Sequence, residues 1–202
     1  MMIKRTVSII TILAAALALT ISASAQGKKA AGSMNARLFN LVQEAKEGRA
    51  RLNPEVAKQV REDFEGENGP TVDFIPLITG TWNCTIAESD TGLPPFEALQ
   101  TFGLDGTFTE TSNLLGMGGE GPAHGAYERT RRGYSLTFEL FVFDPGSGAS
   151  VGRVRVRAAI WMTSLSTFIA ASAVDFIDVD GTVIPDIDGG PFRGTKLQVR
   201  GV

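Results

Sequence analysis

With 202 residues, 43% of them hydrophobic, the chain is long enough to bury a core of its own as one domain. Its 19 basic and 22 acidic side chains leave a formal net charge of −3, without the basic excess that contact with a nucleic-acid backbone requires, so no nucleic-acid partner is expected. A single cysteine, Cys84, excludes an intramolecular disulfide framework, and the fold has to be held by packing.

Residues 1–25 read as a signal peptide: Lys4 and Arg5 give a short basic start, Val7 to Ile21 is almost wholly apolar, and Ala23-Ser24-Ala25 is a small-x-small cleavage site. The expectation is export to the periplasm or beyond, with an uncleaved membrane anchor as the alternative. No later segment is long and apolar enough to span a bilayer as a helix, so no stable membrane span is expected after cleavage.

Residues 26–75 form an extension of different character. Gln26 to Asn35 is small and polar, whereas Leu38, Leu41, Val42 and Ala45 fall at helical spacing and predict a short amphipathic helix. Asn53 and Pro54 cap and open a second helical turn running to Val60, and Glu65 to Pro70 ends the region. The extension has two readings, a lid or partner-binding arm and a plain spacer. The narrow apolar stripe favours the spacer or a loosely packed helix.

From Leu77 the period changes to that of strands, and residues 76–202 read as one β domain. Thr79 to Ile86 places Trp82, Cys84 and Ile86 on one face, which makes Cys84 a small buried hydrophobe rather than a reactive thiol. Phe96 to Phe102 follows, and Asp105-Gly106 turns the chain into Thr107 to Ser112. Gly116 to Pro122 is glycine-rich but lacks the Lys and following helix of a phosphate loop, and reads as a rim between strands. Ala123 to Thr130 makes a fourth strand.

The clearest amphipathic sheet is the hairpin from Tyr134 to Met162. Tyr134, Leu136, Phe138, Leu140 and Val142 share a face on its first arm, and on the second Val154, Val156, Ala158, Ile160 and Met162 oppose Arg153, Arg155 and Arg157. The arginine row reads as a solvated face paired with Glu139, with an anionic surface as the sharper alternative. Thr167 to Asp178 is the seventh strand and Phe192 to Val199 the eighth, with a turn at Asp180-Gly181.

Eight mostly adjacent strands joined by short turns predict an all-β fold: an eight-stranded antiparallel up-and-down barrel preceded by a short helical or flexible N-terminal extension. An interior of that size is either packed solid or holds one small ligand. Inward parity nominates Phe108, Tyr127, Tyr134, Leu136, Phe138, Val154, Val156, Ile160 and Phe176 as ligand-contacting residues, and the same side chains would equally fill a solid core.

Gly80-Thr-Trp82 resembles the Gly-x-Trp signature of lipocalins and other calycins. With Pro95 to Phe102, Leu104 to Ser112, His124 to Arg129, the Phe-rich strand to Asp144 and Gly194-Thr-Lys-Leu197, the stretch 77–202 is similar to a group of bacterial lipocalin-like secreted proteins. The resemblance implies a barrel that binds a small apolar or amphipathic ligand. It also implies that Trp82 plugs the closed end beneath an arginine of the last strand, Arg200 or else Arg193.

An enzyme is the second reading, of barrel isomerase, cyclase or hydrolase type, and a structural or protein-interaction barrel without ligand is the third. Glu110 shares a face with Phe108 and could serve as an interior carboxylate of raised pKa, or pair with an arginine such as Arg129. No second catalytic group and no triad accompany it, so no catalytic residue is nominated. His124 lies on the face opposite Tyr127, toward solvent or the rim. Asp178, Asp180, Asp186 and Asp188 lie near glycines, a pattern that hairpin turns explain as well as calcium does, and no metal or cofactor is expected. Phe141 and Phe143, opposite the core face, suggest an external patch for a homodimer.

Overall fold

The computed structural model describes residues 38–55, 57–58, 62, 77–89, 93–113 and 122–198. The expected signal peptide, the polar leader, the segment Glu65 to Pro70, nearly all of the glycine-rich rim and Arg200 lie outside the described residues.

Eight antiparallel strands close into one barrel in sequence order: β1 (Gly80–Ile86), β2 (Phe96–Phe102), β3 (Thr107–Ser112), β4 (Ala123–Arg129), β5 (Tyr134–Phe143), β6 (Ser150–Met162), β7 (Thr167–Asp178) and β8 (Val183–Lys196). The expected fold class is the observed one. Closure comes from β1 pairing with β8, Trp82 opposite Lys196 and Ile86 opposite Phe192, which leaves no edge strand. The turns rest on aspartates. Asp144 accepts from the N–H groups of Gly146 and Ser147 at 2.7 and 3.2 Å, and Asp180 from Thr182 N–H at 2.8 Å.

The eighth strand begins at Val183, nine positions before the predicted Phe192, because Pro185, Gly189, Gly190 and Pro191 read as breakers and are in fact absorbed by the sheet. A bulge takes up Pro185, whereas Gly189, Gly190 and Pro191 pair in regular register with Ala173, Ser172 and Ala171. The ladder passes from Val174↔Asp188 to Phe176↔Ile184, so β8 carries two more residues than β7 across this step. Within it Asp186 has φ 52°, a left-handed backbone rarely adopted by a non-glycine residue. Its N–H donates to Asp175 Oδ1 at 3.0 Å and holds that conformation.

Arg157 separates from the other arginines of its row. Arg153 and Arg155 share Glu139 on a partly exposed face, as expected, with donor distances of 2.8 and 2.9 Å. Arg157 instead reaches the bulge: its Nε and Nη2 donate to the two oxygens of Asp175 at 3.1 and 2.8 Å, and Nη2 also to Asp186 at 2.8 Å. Burial pulls the Arg157 pKa down, but the hydrogen bonds and charges of Asp175 and Asp186 outweigh it, and the net shift is upward.

The extension is no spacer where it is described. In α1, described over 38–46, Leu38, Leu41, Val42 and Ala45 are all buried and belong to the barrel's own core cluster. The stripe is narrow because it has to fit a barrel mouth. Lys46 pins the last turn to the end of β7 through Asp178 at 2.9 Å, and Gly48, at φ 72°, turns the chain away. The following segment runs over the outside of the barrel. Leu52 N–H donates to Asp186 O at 2.6 Å, and Leu52 and Ala57 pack on Ala171 and Ala173 of β7.

The opposite end is closed by aromatics. Trp82 is fully buried, donates Nε1–H to Ile78 O at 2.6 Å and stacks at a tilt on Phe168, 4.9 Å between centroids. The cation over its ring is Lys196 of β8, at 5.4 Å, and not Arg193. Parity decides this: Arg193 stands opposite Thr85 on the outer face, while Lys196 stands opposite Trp82 itself.

Candidate functional site

Between the aromatic floor and α1 lies a cavity of about 100 Å3. Phe138, Leu140, Val156, Val174 and Phe192 supply its apolar wall, Ile86, Leu93 and Phe96 its rim near the open mouth, and Leu38 and Leu41 of α1 its cover. Ser89, Gln100, Glu110, Ser172 and Asp188 add a few polar groups to a lining that is otherwise apolar. The chamber is therefore mostly apolar, with scattered polar groups on its wall.

Of the nine residues nominated from parity, Phe138 and Val156 line this cavity. Phe108, Tyr127 and Tyr134 belong to the aromatic packing that forms the floor. Phe108 meets Phe138 and Phe102 at 5.0 Å, and Tyr127 lies 5.9 Å from Tyr134 and donates its hydroxyl to Gly103 O. Burial, then the nearby Tyr134 and Asp105, raises the Tyr127 pKa, so this hydroxyl stays a protonated donor near neutral pH. Leu136, Val154, Ile160 and Phe176 are buried in the core around the cavity and are not on its wall.

The polar side is ordered by a chain of side-chain hydrogen bonds across β1, β2 and β3. The Cys84 thiol donates to Gln100 Oε1 at 3.3 Å, and Gln100 Nε2 donates to Glu110 Oε2 at 2.6 Å. Gln100 and Glu110 are direct partners in the ladder, whereas Cys84, opposite Ala98, reaches Gln100 on the diagonal along the same inward face. Burial, assisted by the Glu110 charge, pushes the Cys84 pKa far up, so the thiol is a donor here and no nucleophile. Its reading as a buried, unreactive cysteine holds.

Gln100, 2% exposed, escaped the sequence reading although the signal was present: a polar residue at an inward position between Ala98 and Phe102. Asp188, 3% exposed, was hidden by the misplaced start of β8, which turned an interior strand position into an apparent Asp-Gly turn. The other aspartates of that group are dispersed: Asp178 pairs with Lys46, Asp180 caps a turn and Asp186 pairs with Arg157. Among the described residues no group of three or more His, Cys, Asp or Glu side chains gathers at metal-binding distance. Arg129 is exposed at the end of β4, away from Glu110, whose strand neighbour there is Ala123. His124 is exposed on the outer face, opposite Glu139 in the ladder.

Phe141 is exposed and its ring lies 6.4 Å from Phe143, on the outside of the barrel. Among the described residues no helix is long and apolar enough to cross a membrane.

No family model matches the chain, and no curated protein matches it significantly. Among solved structures, the crystal structure of pallilysin (Tp0751) of Treponema pallidum is similar at 13% identity and a TM-score of 0.31, over 72% of this chain and 94% of that one. That likeness is too distant to carry an activity across.

Proposed function

We propose that this protein is an exported, lipocalin-like binding barrel that holds a small amphipathic ligand beneath α1. One observation carries the reading: the barrel interior is not solid, and its cavity combines an apolar wall with a fixed polar side at Gln100 and Glu110. The Gly-x-Trp start of β1 and the basic, apolar and small-residue pattern of residues 1–25 support the family likeness and the export. Size limits the ligand. An apolar cavity of roughly 150 Å3 accommodates benzene, so a space of about 100 Å3 suits a compact molecule.

Native mass spectrometry of the protein purified from its own host tests this. A retained small molecule, released on denaturation, is expected. A ligand-free barrel that also fails to bind apolar fluorophores contradicts the proposal.

A second reading has one specific observation in its favour, the presence of Glu110 and Asp188 on the wall of a single cavity. Two carboxylates in unlike surroundings can divide the roles of acid and base, as an isomerase or cyclase requires. Turnover of a bound compound, abolished in both Glu110→Gln and Asp188→Asn, would favour the enzyme over the carrier.

A further inference from the structure

The two ends of the barrel present different chemistry to solvent. Around the open mouth stand Glu88, Asp144, Asp178 and Asp180, with Lys46 set against Asp178. At the closed end Arg129, Arg131, Arg132 and Lys196 gather against Asp105 and Glu128, so a chain of net charge −3 is basic there among the described residues. Leucine accompanies the charge. Leu104 stands in the β2–β3 turn, 86% exposed, and Leu165 in the β6–β7 turn, 71% exposed, while Leu77 before β1 and Leu197 after β8 are each more than half exposed. The up-and-down order brings all four to one end. Turns are normally built from Gly, Pro, Asn, Asp and Ser, and these two close without help from their leucines. Asp105 receives the Thr107 N–H at 3.1 Å in the first, and Thr163 and Ser164 both donate N–H to Thr167 O, at 2.9 and 3.1 Å, in the second. Lys196 N–H to Ser166 O and Leu197 N–H to Thr81 O, at 2.9 and 2.8 Å, join the neighbouring segments. The leucines are held out on ordered backbone.

We infer that the closed end docks on an anionic phospholipid bilayer, with Leu104, Leu165 and Leu197 entering the boundary between headgroups and acyl chains and Arg129 and Arg131 meeting lipid phosphates. Peripheral binding of this kind grows with the apolar area buried and with the attraction of basic residues to anionic lipid, and the closed end supplies both. Charge decides the occupant. A symmetric contact with a second copy would set this basic end against itself, whereas an anionic surface complements it. The acidic open end is repelled by the same surface, so the barrel stands with its aromatic floor on the membrane and its mouth and α1 toward solvent.

The test places the fluorophore NBD, which shifts to the blue in an apolar environment, at one end or the other of the protein as its host exports it. Ser164→Cys carries it beside Leu165, and Ser147→Cys carries it in the β5–β6 turn at the open end; buried Cys84 stays unlabelled. Gln198→Cys, beside Leu197, serves if the Ser164 site disturbs its turn. With vesicles of equal parts phosphatidylglycerol and phosphatidylcholine at low salt, a blue shift that saturates with lipid is expected at 164 and none at 147, and pure phosphatidylcholine should bind several-fold more weakly. Leu104→Ser is expected to weaken partitioning about tenfold or more, and Arg131→Gln about fivefold on the mixed vesicles alone. No shift at 164, an equal shift at 147, or equal affinity for the two kinds of vesicle overturns the proposal. A probe at 164 that is blue-shifted without lipid, in a protein that sediments as a dimer, also overturns it and assigns the leucines to a second copy. The comparison of the two probes stands without the Leu104 and Arg131 variants, and a retained leader cannot imitate it, since a tether alone moves neither probe into the bilayer.

Discussion

Gln100 and Glu110 face each other across β2 and β3 inside the barrel, 2.6 Å from amide nitrogen to carboxylate oxygen. The pair converts a position that binary patterning would fill with a hydrophobe into an oriented polar surface. Removing the amide costs Glu110 a donor and Cys84 its acceptor in surroundings where neither is readily replaced. Gln100→Leu is expected to lose about 1–3 kcal/mol of stability in urea denaturation, and Cys84→Ala less than that. Equal or higher stability in Gln100→Leu would show that the chain of bonds orders nothing.

Lys46 ties the cover to the barrel through Asp178 and lies 5.3 Å over the Phe176 ring. Both partners are about a quarter exposed, so the pair contributes little to global stability. Its effect is local. Lys46→Met should change the unfolding free energy by about 1 kcal/mol or less, yet accelerate amide exchange across 38–46 relative to β5–β7. Parallel acceleration in helix and barrel would mean that α1 does not open separately.

Arg157 joins β6, β7 and the β8 bulge, and its main partner Asp175 is 5% exposed. Arg157→Met leaves the Asp175 and Asp186 carboxylates together without their shared cation. The expected loss is about 3 kcal/mol, toward the low end for a broken buried pair because the guanidinium keeps partial solvent access. Arg153→Met, on the same strand face but exposed, should lose about 1 kcal/mol or less. The raised Arg157 pKa makes its contribution complete below the unfolded value and lost only as pH rises through the folded one, so it stays constant between pH 5 and pH 9.

Acid sensitivity has a different origin. Thr107 holds the Asp105 pKa down through its hydroxyl and N–H, the N–H groups of Gly146 and Ser147 do so for Asp144, and the Thr182 N–H does so for Asp180. Each contribution is present above the ordinary aspartate value of about 3.9 and disappears as pH falls through the lower folded pKa. Carboxyl NMR titration should place all three below that value. Asp144→Asn should lessen the decline of stability below pH 4; an unchanged decline would assign the sensitivity elsewhere.

Much of the barrel was legible because strands half-buried in a barrel alternate apolar and polar residues, as Tyr134 to Leu140 does. The start of β8 was not, since Pro185, Gly189 and Pro191 break strands in isolation, whereas the bulge against Asp175 accommodates Pro185 and pairing with β7 holds Gly189 and Pro191. The stripe of α1 was visible as a helix, but whether Leu41 meets solvent or a barrel mouth is a tertiary fact. Parity likewise marks Leu136 and Val156 as inward without telling filler from wall, because cavity shape depends on all eight strands at once. Gln100 carried the most informative overlooked signal, a polar side chain at an inward position.

The central claim is that the space beneath α1 receives a ligand, and methyl NMR during titration with 1-pentanol tests it most directly. The account predicts saturable shifts at Leu38, Leu41, Leu140, Val156 and Val174, which surround the cavity, and none at exposed Leu77, Leu104 or Leu165. Shifts confined to the exposed leucines, or growing without saturation, would contradict it.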